Sequence, residues 1–165
     1  MRRSRLVAIL TIPPLALALA WLVAHERVDT WLESEPVLVQ AGQVGAPHAV
    51  GGFALTVDGA QVVDAGSDAA GYADAPEGAQ VVVVDVRLED ADDVSAWCSF
   101  RLEATVDGER ATWAQDAGAS EVTSCYDETG SLGGPVGFVV PAGSIEDARL
   151  LVGGEVVWLG VPLPL

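Results

Sequence analysis

Few side chains in this sequence could do chemistry, and two of them are cysteines. Cys98 and Cys125 are the only thiols among 165 residues, and they stand 27 positions apart. Redox catalysts use a C-x-x-C pair, and a zinc site would need ligands beyond two cysteines and His48. In an oxidising compartment the pair reads as one structural disulfide, worth about 3–4 kcal/mol in the chain-entropy account. The only histidines are His25 and His48. A serine–histidine–carboxylate set would have to be built around His48, and the sequence has no G-x-S-x-G elbow to supply the nucleophile. Nor does it contain a phosphate-binding loop, a dinucleotide fingerprint or an H-E-x-x-H helix. His48 therefore reads as an exposed loop residue. No catalytic residue and no cofactor are expected.

The densest acidic run is Glu89-Asp90-Ala91-Asp92-Asp93. Oxygen-rich loops between strands can hold Ca²⁺, which takes six to eight oxygens, and Glu89, Asp90, Asp92 and Asp93 would be the ligands. The run lacks the D-x-[DN]-x-[DN]-G form, so a solvated loop without metal is the expectation. Carboxylate pairs suited to glycoside hydrolysis could arise by chance among 24 acidic residues, which leaves a carboxylate-based hydrolase as the one enzymatic alternative. Trp97 directly precedes Cys98 and, by strand alternation, points away from the core. It is the aromatic to consider as a binding surface, the alternative being that the loop around Cys125 covers it.

These residues are addressed by the N-terminus. Residues 1–5 carry three arginines, residues 6–24 carry no charge, and Arg27 is the only basic side chain apart from the histidines before Arg87. Such a segment enters a bilayer with its N-terminus inside. As a helix it spans roughly 28 Å, close to the ~30 Å hydrocarbon core. Pro13-Pro14 would kink it, and Ala18-Leu19-Ala20 has the small-x-small form of a cleavage site. The apolar run nevertheless continues past that site to Trp21, an interfacial aromatic. The expectation is a retained signal-anchor at the cell membrane, with residues 25–165 outside. The alternative is a secreted protein released after Ala20. Residues 25–44 read as a juxtamembrane helix and linker, with Val28, Trp31 and Leu32 at helical spacing before Pro36.

All 24 acidic residues follow residue 25, against five arginines and no lysine, so the outer part carries a formal charge of −19. That excludes nucleic acid as a partner and disfavours anionic lipid surfaces. The remaining expectation is another envelope or membrane protein.

Residues 45–165 read as strands. Gln80 to Leu88 places Val82, Val84, Val86 and Leu88 on one face, with Val81, Val83, Asp85 and Arg87 on the other. Cys98 to Val106 repeats the alternation, turns at Asp107-Gly108 and returns from Glu109 to Gln115. Phe53–Val57 and Ala60–Asp64 flank Asp58-Gly59, which is either a turn or a bulge within one strand. Residues 65–78 form a polar loop rich in Gly and Ala. Strands at Pro135–Val140, Ala148–Val152 and Val156–Leu163 follow, the last two joined at Gly153-Gly154. The expected fold is all-β, an antiparallel two-sheet sandwich of seven or eight strands after one transmembrane helix.

The order "GGFALTV", "VVVVDVRLEDADD", "DGERATW" and "GGPVGFVVPAGSIEDARLLV" over residues 45–163 resembles the bacterial extracytoplasmic immunoglobulin-like superfamily of the secreted immunoprotective antigen type. It is also similar to small single-pass actinobacterial membrane proteins with an "ERV–TW" stalk. The resemblance implies an immunoglobulin-like sandwich and an exported location, and supplies no catalytic residue. The expected function is non-catalytic: binding, scaffolding or accessory work at the cell envelope.

Overall fold

Ten consecutive residues of β4 (Gln80–Glu89) set the architecture, because their valines are buried on both faces of the strand. The computed structural model describes residues 38–50, 52–90, 99–125, 130–153 and 157–165. The other strands are β1 (Leu38–Ala41), β2 (His48–Val50), β3 (Phe53–Asp64), β5 (Ser99–Val106), β6 (Glu109–Ala114), β7 (Ser131–Val140), β8 (Ile145–Gly153) and β9 (Val157–Pro162). They form a four-stranded sheet in the order β2-β3-β4-β7 and a five-stranded sheet in the order β1-β9-β8-β5-β6. All pairings are antiparallel except β1 with β9. The protein is thus an all-β sandwich, with one 3-10 turn at Asp68–Ala70 and no α-helix among the described residues.

Between the sheets lies one core. β4 contributes Val82, Val84, Val86 and Leu88, and β5 contributes Phe100, Leu102 and Ala104 from the facing sheet. This is the alternation expected for strands with one face on a core. Asp107 and Gly108 have φ of 49° and 84°, as the tight β5–β6 hairpin requires. Asp58-Gly59 is a bulge within the single strand β3, where the register against β4 shifts between Val57 and Gly59. β8 and β9 pair as a hairpin, although residues 154–156 of its turn lie outside the described residues.

Two features differ from the sequence expectation. Nine strands are present among the described residues, because Leu38–Ala41, assigned to the linker, lies parallel beside β9, and His48–Val50 pairs with β3. Both are three or four residues long, too short to show a period. The second difference is on the outer face of the four-stranded sheet. Val81 and Val83 point away from the main core yet are 0% and 3% exposed. With Ala70 and Ala119 they form a second apolar cluster, joined by the half-buried Val63, Ala65, Ala73 and Val139. The loop after β3 folds back over the sheet instead of standing in solvent. Tyr72 N–H donates to Gly118 O at 2.8 Å, linking that loop to residues 116–120. The approach needs glycine, since a Cβ on Gly118 would collide with Tyr72 O and one on Gly137 with Ala119.

Val83 is therefore a core position. We expect Val83→Asp to cost about 3 kcal/mol or more, against the ~0.5 kcal/mol typical of a solvent face. Urea unfolding checks it, and an unchanged midpoint would contradict the second cluster.

Candidate functional site

The residues singled out by sequence do not come together as a chemical site among the described residues. Glu89 ends β4 and Asp90 follows it with φ of 59°; both are exposed. Asp92, Asp93, Trp97 and Cys98 lie outside the described residues, as does the apolar segment 6–24. No group of three potential metal ligands occurs among the described residues, and no described helix is long and apolar enough to cross a membrane. Cys125 is 2% exposed and packs within the main core. It is not a free thiol.

His48 is not the free loop residue expected. It opens β2, opposite Leu55, and its ring closes the preceding turn. Gln43 N–H lies 2.8 Å from His48 Nε2, and the same ring nitrogen is 3.1 Å from Gln43 O. The imidazole does structural work, holding the passage from β1 to β2.

The outer face of the five-stranded sheet gathers most of the described cations. Glu103 on β5 lies between Arg110 of β6 and Arg149 of β8, as the registers Glu103↔Thr112 and Glu103↔Arg149 allow. Arg110 Nε donates to Glu103 Oε1 at 2.7 Å and an Arg149 terminal nitrogen donates to Oε2 at 3.0 Å. Arg149 Nε is buried without a hydrogen-bond partner among the described residues. Burial pushes the Glu103 carboxyl up, but the hydrogen bonds and positive charges of Arg149 and Arg110 outweigh it and hold the group below the usual carboxylate value. Nearby, the Arg101 guanidinium lies 5.1 Å from the centroid of the Trp158 ring. Trp158 and Leu151 are 1% and 0% exposed although they point away from the main core. Val39 fills the space that a side chain on Gly160 would take. Trp113 packs at the margin of the main core.

The other prepared surface is at the end of the sandwich where β4 begins. A groove of about 460 Å³ is lined by Pro76, Glu77, Gly78 and Ala79 on one side and by Val139 to Ala142 on the other. Its second wall is fixed by Gln80, whose Nε2 donates to Pro141 O at 3.1 Å and Gly143 O at 2.8 Å. The neighbouring Asp107 turn is latched to the same segment, with Ser144 N–H donating to Asp107 Oδ1 at 3.0 Å. On the loop that supplies the first wall, Tyr72 is 95% exposed. Sequence reasoning missed this surface because residues 65–78 carry no period and few apolar side chains. The available signal was a single aromatic within a Gly-, Ala- and Asp-rich stretch.

Comparison with family models, curated proteins and solved structures finds no match to this chain.

Glu103 gives a pH prediction. Its folded value is depressed, so its contribution is present above the unfolded carboxylate range near ~4.3 and is lost as pH falls through the folded value. Glu103→Gln should cost about 1 kcal/mol at neutral pH, a figure kept low because Arg110 and Arg149 are partly exposed. The gap between variant and parent should close as pH falls through the depressed folded value of Glu103. Urea midpoints measured across that range check both statements.

Proposed function

We propose that this chain is a membrane-anchored protein whose outward domain is an immunoglobulin-like sandwich. Its role at the cell envelope is non-catalytic, in binding, scaffolding or as an accessory to another component. The observation that carries the domain reading is the strand order. β3-β4-β7 face β6-β5-β8-β9, so consecutive strands change sheets between β4 and β5, β6 and β7, and β7 and β8. These positions correspond to strands A-B-E against a sheet built on C-F-G in immunoglobulin-type sandwiches, with β1 added beside the last strand. The resemblance of residues 45–163 to the extracytoplasmic immunoglobulin-like superfamily points the same way.

The outward location rests on three arginines before an uncharged run from residue 6 to 24, followed by a chain with 24 acidic residues. It makes the Cys98–Cys125 disulfide part of the same reading. Cys125 is buried in the core, and Cys98 immediately precedes Ser99, the first residue of β5, two positions before the buried Phe100. The bond would tie the start of β5 to the segment between β6 and β7.

Mass spectrometry of the chain from the membrane fraction tests the anchor. We expect the N-terminal segment to be retained, and a mature N-terminus at Trp21 would replace the anchored reading with the secreted one. Thiol labelling of the native, non-reduced chain should modify neither cysteine. Labelling of both would overturn the oxidised location.

A further inference from the structure

We infer that the end of the sandwich formed by residues 64–80 and 139–144 is a docking surface for a cationic segment of a partner protein, one carrying arginine or lysine beside apolar side chains. This rests on the envelope-binding reading above and names its surface and its partner's chemistry.

Three observations converge there. The first is Tyr72, 95% exposed yet carried on an anchored main chain. Its N–H bonds Gly118 O, Gly71 N–H bonds Asp68 O at 3.2 Å, and the adjoining Ala70 is fully buried. With its main chain already ordered, binding has only the two side-chain torsions of Tyr72 to fix, which keeps the entropic cost of an aromatic anchor low.

The second is the apolar groove along the same loop. Among the described residues that line it Glu77 is the only charged one, and its far wall is already fixed by the Gln80 side chain. It accepts an aliphatic stem without first having to order itself.

The third is charge. Asp64, Asp68, Asp74 and Glu77 are all exposed, and the loop contains no basic residue. A cation meeting the Tyr72 ring would be held by the ring face and by neighbouring carboxylates together. The protein's net charge of −16 favours its approach from a distance. The same charge repels a second copy and an anionic lipid surface.

Strand register adds an orientation. β1 begins at Leu38 beside Val157, at the end where β8 finishes with Gly153. β8 begins at Ile145 opposite Val106, next to the Asp107 turn and the groove. The first residue of β1 and the groove therefore lie at opposite ends of the strands of the five-stranded sheet.

The test uses the full chain in neutral detergent micelles with two fluorescent probe peptides, one alternating arginine and leucine, the other alternating glutamate and leucine. Anisotropy should show binding of the arginine peptide, weakened by salt, and none of the glutamate peptide. Tyr72→Ala should weaken it roughly tenfold or more, and Tyr72→Phe, which keeps the ring, by less than about threefold. Asp74→Asn with Glu77→Gln should weaken it several-fold, whereas Thr112→Ala on the opposite sheet should not. Circular dichroism verifies that each variant is folded. Equal affinity in Tyr72→Ala would mean only diffuse attraction to an acidic protein and would overturn the proposal. So would equal binding of the glutamate peptide, or tighter binding to anionic vesicles than to the peptide. A failed anchor, read separately from the mature N-terminus, leaves this outcome untouched.

Discussion

Strand β4 has no solvent face along Val81–Val84, all four being at most 3% exposed. Each such burial is worth about 1.5 kcal/mol or more, so the sheet built on β4 cannot remain open on its outer side. The loop after β3 and residues 116–120 close it. Their own main-chain groups then need partners, and they find them in each other and in β7. Asp116 N–H and Gly137 O pair at 2.9 Å, and Gly137 N–H reaches Ser120 Oγ at 2.9 Å. Gly118 and Gly137 follow from the closeness of that packing, and the fixed Tyr72 loop follows from the cover. The four-stranded sheet thus has its edge and its outer face protected by one set of contacts.

Much of this was legible in the residues. The buried sets on β4 and β5 follow from strict alternation, and the Asp107-Gly108 turn from the conformational preferences of its two residues. The long β3 was readable only as two alternatives, because Asp-Gly serves a turn and a bulge equally well. What escaped has a common physical cause. The short β1 and β2 are held by neighbours distant in sequence, and the cover over Val81 and Val83 is made by alanines and glycines with no period. A run of four valines is the sequence signature of a strand buried on both sides. Alternation alone puts Val81 and Val83 on the face opposite the main core and does not show what covers them. Of the candidate site residues, Glu89 is placed at the exposed end of β4 and Asp90 in the bend after it. The surface around Tyr72 depends on tertiary contacts that no local pattern encodes.

The described arginines are all engaged at home. Arg87 pairs with Asp58 at 2.7 Å, Arg110 and Arg149 share Glu103, and Arg101 lies over Trp158. Among the described residues, Asp64, Asp68, Asp74 and Glu77 are exposed and pair with none of these arginines. In the proposed docking a partner's cations would meet carboxylates that need not first be released from internal ion pairs, which lowers the cost of association. Such contacts weaken as ionic strength rises, since the charges are exposed.

The parallel pairing of β1 with β9 has a mechanical side. β1 is the first of the described strands, and among them its only partner in the sheet is β9. A pull along β1 from its N-terminal end strains the evenly spaced, slanted bonds of that ladder together, in shear. In an antiparallel hairpin opened from its end, the bonds break one after another. The entry point of the chain is thus built to share a load across Leu38–Ala41, as a short lap joint does.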